Sequence, residues 1–311
     1  MKISEIEREE FLLPGNAACH GCPSSMALRT VLKALGGKAI LVVPACCTSV
    51  YMGPYPNSAI RIPVFNTAFA AAAATASGIR ASLEMQGDDT VVVVWAGDGG
   101  TYDIGLQALS GAAERNEDII YICYNNEIYS NTGIQRSSAT PYGAWTTTTW
   151  KGKKEHRKDV AEILLTHNVP YVSTASIGYL GDLYEKVRKA REIRGFRYIE
   201  IHAPCPPGWR FPMNRTVHIA RLAVETGMWI LFEYSEGRFS FTGASDLIAK
   251  GKKKMKDVQE YLSSQGRFSG LTESEIREIK KYINDRWNRL VGIRDHELPS
   301  FIRLSAQNAL G

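Results

Sequence analysis

An α/β fold with a doubly wound, mostly parallel sheet is predicted by three features of the sequence. The runs 39–43 (AILVV) and 90–95 (TVVVVW) are nearly continuously apolar and β-branched, as strands buried on both faces are. Helix-periodic segments separate such runs, which is the alternation of a parallel sheet with crossover helices. Three strands end in loops carrying Cys, Gly-Asp-Gly or Asn, and in open α/β sheets ligands gather at the carboxyl ends of strands.

Taken in order, a turn-rich loop over 15–23 holds Cys19, His20 and Cys22 and precedes an apolar helix over 26–35, which Gly36-Gly37 stops. The strand 39–43 runs directly into Pro44-Ala45-Cys46-Cys47-Thr48-Ser49. A helix over 67–85 includes the Ala-rich stretch 68–76, which is too short for a bilayer span. The strand 90–95, a helix over 104–115 and a strand over 118–124 follow. A long polar loop covers 125–158, then come helices near 160–167 and 181–194 and a strand over 197–202, with Cys205 just beyond it. From residue 214 the texture changes to an aromatic segment near 229–234, a lysine-rich stretch over 250–256 and an amphipathic helix near 273–290. The expected division is an α/β domain over 1–213 and a helical C-terminal extension over 214–311 that contacts the core or a partner subunit.

Composition narrows the function classes. At 311 residues, 44% hydrophobic and 22% charged, the chain is neither disordered nor collagen-like nor membrane-embedded. Lys plus Arg total 37 against 32 Asp plus Glu, and the resulting +5 is too mild for nucleic acid but suits docking to an acidic protein. The first ten residues are acidic where a signal peptide needs a basic and then apolar stretch, so a cytoplasmic location is expected. In that reducing setting the clustering among Cys19, Cys22, Cys46, Cys47, Cys123 and Cys205 favours metal or redox chemistry over disulfides.

The strand ending in Gly97-Asp98-Gly99-Gly100 offers backbone N–H groups and a helix N-terminus to a diphosphate. An Asp beside phosphate is repulsive unless a divalent cation lies between them, and Mg²⁺ bridges with a few oxygen ligands. Asn126 through its side chain and Ile128 through its carbonyl complete the protein's share. Cys19-x-x-Cys22 suits zinc or an iron–sulfur cluster equally. Cys47 and Cys205, at strand ends on the same predicted edge as Gly-Asp-Gly, make a four-cysteine set beside a cofactor, a placement from which a structural zinc gains nothing. Cys123, within a strand, reads as a core thiol. His20 and His202 flank the cysteines without a recognisable catalytic partner, and Lys252-Lys253-Lys254 reads as a solvated face.

Gly97-Asp98-Gly99, followed after 25 residues by Asn125-Asn126, resembles the thiamine-diphosphate motif. Together with Cys19-x-Gly21-Cys22, Cys47-Thr48-Ser49, Tyr129-Ser130-Asn131-Thr132-Gly133 and Ala203-Pro204-Cys205, it resembles the β subunit of 2-oxoacid:ferredoxin oxidoreductases, over roughly residues 12 to 210. The resemblance implies that 1–213 is a thiamine-diphosphate domain with Cys19, Cys22, Cys47 and Cys205 on one [4Fe-4S] cluster and Asp98, Asn126 and the Ile128 carbonyl on Mg²⁺. It implies cofactor contacts from Cys47, Thr48, Gly97, Asp98, Gly99, Gly100, Asn126 and Ile128, and polar contacts near substrate from Asn131 and Thr132. Cys46 stands where the family often has Gly, which favours Cys47 as the ligand. The implied reaction is CoA-dependent oxidative decarboxylation of a 2-oxoacid, pyruvate or 2-oxoisovalerate. Its partners are an α subunit supplying the activating glutamate, γ and ferredoxin-like δ subunits, and ferredoxin. A non-oxidative thiamine-dependent decarboxylase or synthase and a zinc-stapled, non-catalytic subunit are the alternatives.

Overall fold

The computed structural model describes residues 6–235 and 237–295. The first five residues of the acidic N-terminal stretch and residues 296–311 of the C-terminal extension lie outside them.

An eight-stranded sheet organises the molecule. Its strands are β1 (Ala39–Pro44), β2 (Val64–Thr67), β3 (Val91–Gly97), β4 (Ile120–Asn125), β7 (Tyr171–Ser176), β8 (Arg197–His202), β9 (Phe232–Ser235) and β10 (Arg238–Phe241), in the order β10-β9-β7-β8-β4-β3-β1-β2. A separate two-stranded ribbon, β5 (Ile128–Tyr129) with β6 (Gln135–Arg136), lies within the long polar loop. Strands β1 to β4, β7 and β8 pair in parallel, and β9 and β10 join antiparallel at one edge.

Side chains alternate across the sheet, as the two-residue period of a strand requires. Leu41, Val43, Val93, Trp95, Ile120 and Ile122 pack one face, against α1 (Pro23–Leu35) and α6 (Leu180–Glu192). Val42, Val92, Val94, Ala96, Tyr121 and Cys123 pack the other, against α3 (Ala72–Met85), α4 (Leu106–Glu114) and α5 (Val160–Leu165). Cys123 is therefore a core thiol. Between β1 and α3 sits the short α2 (Cys47–Tyr51), and beyond β8 comes α7 (Pro206–Trp209).

The residues beyond 213 supply α8 (Thr216–Glu225), the edge strands, α9 (Gly243–Ala249), α10 (Val258–Ser263) and α11 (Glu273–Asp295). They build a third apolar cluster in which Trp229, Tyr261, Phe268 and Ile283 meet Trp209 and Ile128. Within the described residues no helix is long and apolar enough to cross a membrane.

Connections leave β1 toward β2 and leave β3 in the opposite direction toward β4. The crevice at the carboxyl ends of these two neighbours is the switch point where doubly wound sheets bind ligands. Cys46-Cys47 and Gly97-Asp98-Gly99-Gly100 both emerge there.

Candidate active site and adjoining thiol cavity

Two cavities open side by side at this crevice. The first is lined by Cys46, Cys47, Phe69, Gly97, Asp98, Gly99, Gly100, Tyr124, Asn126, Ile128, Tyr129, Ser130, Asn131 and Thr132, with Ala45. The second is lined by Cys19, Cys22, Cys47 and Cys205 with Ala17, Val50, Tyr51, Asn126, Ser130, Asn131, Pro206 and their neighbours. Cys47, Asn126, Ser130 and Asn131 line both cavities.

The floor of the first cavity follows from local backbone demands. After β3 the chain enters a π-helical turn, Gly99–Asp103, a form found mostly as single turns at functional sites. A Cβ on Gly105 would overlap the Gly100 carbonyl oxygen, so only glycine lets this turn close before α4. Asp98, 1% exposed, accepts hydrogen bonds from the Ser137 hydroxyl at 2.5 Å and the Asn126 amide at 3.3 Å. Burial pushes its carboxyl up to about 8, against the lowering effect of the Ser137 bond.

Two further acceptors converge on that carboxylate. The Asn126 side-chain oxygen faces the Ile128 carbonyl at 2.6 Å and Asp98 Oδ1 at 3.1 Å; the reversed amide would donate to both and accept from Ser130. A cation ligated at about 2.1 Å in octahedral geometry keeps adjacent oxygens about 3 Å apart, so this donor set fits a small hard cation, which would itself favour the oxygen-inward amide. The positive φ of Glu127, 62°, allows the convergence by reversing the chain between the two residues. A non-glycine residue in that region costs about 1–2 kcal/mol.

The thiols come from three separate places: the loop ahead of α1, the first residue of α2, and the residue before α7. Cys47 Sγ lies 3.1 Å from the Ser130 hydroxyl. Burial pushes the thiol of Cys47 up to about 11 and that of Cys205 up to about 12, and raises Cys22 as well. Such groups hold their protons until a metal takes the proton's place. Among the described residues no three or more His, Cys, Asp or Glu side chains group closely enough to hold a single metal ion.

The sequence-selected residues fall as follows. Gly97, Asp98, Gly99, Gly100, Asn126, Ile128, Asn131 and Thr132 line the first cavity, and Cys19, Cys22, Cys47 and Cys205 meet in the second. Cys46 lines only the first. Thr48 departs from expectation: it is fully buried, donates to the Tyr51 hydroxyl at 3.0 Å and accepts from Trp95 Nε1 at 2.9 Å. The first turn of α2 points its side chain into the core, and it lines neither cavity. His202 is buried between Trp209 and Trp229, where desolvation holds it neutral. Sequence reasoning assigned no role to Ser130 or Ser137, whose hydroxyls sit in a loop without periodicity and give no signal of their own. Glu127 was likewise passed over, although an acidic residue between two candidate ligands offered a hint.

This fold and its switch-point cavity define a thiamine-dependent enzyme domain, and the family model for the C-terminal TPP-binding domain of thiamine pyrophosphate enzymes matches residues 45–201. The chain is 48% identical over 293 residues to ketoisovalerate oxidoreductase subunit VorB of Pyrococcus abyssi, covering 91% of this chain and 93% of that one. It is 50% identical over 290 residues to pyruvate synthase subunit PorB of Methanothermobacter thermautotrophicus, covering 91% and 97%. A chain of the 2-oxoglutarate:ferredoxin oxidoreductase from Magnetococcus marinus superimposes with a TM-score of 0.55 at 24% identity, over 71% of this chain and 80% of that one, and shares the fold. The chain belongs to the family of 2-oxoacid oxidoreductase B subunits, and it is an oxidoreductase subunit.

Proposed function

We propose that this chain is the thiamine-diphosphate- and [4Fe-4S]-binding subunit of a cytoplasmic 2-oxoacid:ferredoxin oxidoreductase that decarboxylates pyruvate or 2-oxoisovalerate oxidatively and passes the acyl group to CoA. The observation that carries the reading is the wall shared by the two cavities: Cys47, Asn126, Ser130 and Asn131 face both. An electron leaving one bound group for the other would cross a single layer of side chains.

Asp98, the Asn126 side chain and the Ile128 carbonyl would hold Mg²⁺, with the backbone of Gly97, Gly99 and Gly100 close to the diphosphate. Cys19, Cys22, Cys47 and Cys205 would hold the cluster. Bound there, thiamine diphosphate supplies the carbanion chemistry of decarboxylation and the cluster accepts single electrons. Asn131 and Thr132, on the rim of the first cavity, would orient substrate through hydrogen bonds. A zinc staple is less well supported, because a structural zinc would gain nothing from thiols that share a wall with the thiamine cavity.

The described residues contain one doubly wound sheet, and the glutamate that activates the aminopyrimidine would come from an α subunit, with γ and ferredoxin-like δ subunits completing the assembly. The test is reconstitution. The chain alone is expected to give no 2-oxoacid-dependent reduction of a viologen dye, and the assembly with partner subunits is expected to reduce it with CoA and pyruvate or 2-oxoisovalerate. Full dye reduction by the single chain, or an assembly that releases aldehyde without reducing the dye, would contradict the proposal.

A further inference from the structure

The loop carrying two of the three converging oxygens, those of Asn126 and Ile128, is gripped by a residue more than a hundred positions away. Glu127, between Asn126 and Ile128, is 1% exposed and lines neither cavity. Its amide donates to Asn125 Oδ1 at 2.9 Å and its carbonyl accepts the Thr140 hydroxyl at 2.5 Å. Its left-handed backbone is one that a residue with a Cβ keeps only where its surroundings impose it.

Arg267, between α10 and α11, meets this loop by two routes. Its Nη2 lies 2.7 Å from Glu127 Oε2, a close ion pair without the alignment of a hydrogen bond. Its guanidinium face covers the Trp209 ring at 3.4 Å from the centroid, and Trp209 Nε1 donates to the Asn126 carbonyl at 2.8 Å. Arg267 is itself 1% exposed and fixed by Gln265 Oε1 at 2.7 Å and the Tyr261 hydroxyl at 3.1 Å. Arg157, 3.7 Å from Glu127 Oε1, is the looser second cation.

Resting on the reading of Asp98, Asn126 and Ile128 as the Mg²⁺ ligands, we infer that Arg267 is the positioning residue of this cation site: by holding the Glu127 carboxylate and the Trp209 indole together, it keeps the Asn126 and Ile128 oxygens aimed at one point. Arg267 lines neither cavity, so it reaches the ligands through its neighbours, and of these Glu127 and Trp209 hold the Asn126–Ile128 segment. Outer partners of metal ligands typically change metal affinity 10–100-fold when removed.

The test uses the assembled complex stripped of cofactor, with Mg²⁺ titrated at fixed thiamine diphosphate and bound cofactor read by calorimetry. Arg267→Met is expected to raise the half-saturating Mg²⁺ concentration roughly 10–100-fold, with cofactor binding returning to the wild-type level at saturating Mg²⁺. Arg267→Lys, which keeps the charge and loses the planar fork and the stacking, is expected between the two. Glycine takes the left-handed backbone without help and removes the Glu127 route, so in a Glu127→Gly background Arg267→Met should add less than it costs in the wild type, only the part that passes through Trp209. An unchanged Mg²⁺ midpoint in Arg267→Met overturns the inference. So does an equal loss of cofactor at every Mg²⁺ concentration, the signature of general loosening, and so does simple additivity with Glu127→Gly. If the Met variant fails to assemble, Arg267→Lys and Glu127→Gln decide by the same midpoint. Wild-type complex that binds the cofactor without any divalent cation would instead remove the reading of the site itself.

Discussion

Asp98 is a carboxyl that the folded chain, among its described residues, leaves without a balancing cation. It is buried among glycines, hydroxyls and amides, with no Lys or Arg pairing with it among the described residues, and burial drives the carboxyl up to about 8, which favours its protonated form at neutral pH. A cation at the three converging oxygens would restore the carboxylate and repay its burial. Asp98→Ala is therefore expected to weaken Mg²⁺-dependent thiamine-diphosphate binding by more than the roughly 10–100-fold that loss of an outer partner costs. Unchanged affinity by calorimetry would discredit the site. The neighbouring cysteines make a second contrast. Cys47 faces Cys19, Cys22 and Cys205 whereas Cys46 faces only the first cavity, so Cys47→Ser is expected to lose iron and Cys46→Ser to keep most of it. Iron retained in the first variant and lost in the second would reverse the assignment. At this scale Asp98, Cys19, Cys22, Cys47 and Cys205 were legible as residues brought to one crevice, because their chemistry is specific at short spacing. Ser130, Ser137, Glu127 and Arg267 were not, because their roles come from contacts between distant segments. The inward turn of the Thr48 side chain was not legible, because motif proximity does not reveal which way the first turn of a helix faces.

The elements divide along a similar line. Strands with continuous apolar runs, β1, β3 and β4, are readable, as is the amphipathic helix α11. β7 escapes such a reading because Ser173, Thr174 and Ser176 are buried within it, Thr174 donating to the Ile230 carbonyl at 2.6 Å. β2 escapes because it is four residues long and half-exposed at the sheet edge. The edge strands β9 and β10 extend the sheet from a segment whose sequence signalled only a change in texture. Where β4 and β8 begin, Asp118 ties them together: its carboxylate pairs with Arg197 and with Arg194 at 2.9 Å and accepts the Gly195 amide at 3.1 Å. These cations hold its pKa below the ordinary carboxylate range, overcoming the opposing effect of burial. A depressed native pKa stabilises above the unfolded value, about 3.9, and is lost as pH falls through the native one. Asp118→Asn is expected to cost about 2 kcal/mol at neutral pH by denaturant titration, with the gap to wild type closing below about pH 4. A gap independent of pH would show that shape, and not charge, holds the two strands.

Across the whole molecule, the doubly wound sheet brings the ends of β1, β3, β4 and β8 to one edge, and the segment after residue 213 packs over it from the side of β5 and α7. Parallel topology was legible because strand and helix periods alternate along the sequence. The adjacency of the two cavities was legible only as a shared edge, since the wall between them is built by folding. The central claim is that the second cavity holds a redox cluster beside the thiamine site. The most direct measurement is the absorption spectrum of anaerobically purified protein, taken with iron and acid-labile sulfide analysis. About four iron and four sulfide per chain are expected, with a broad visible band that bleaches on reduction. Stoichiometric zinc with no visible absorption would contradict the account.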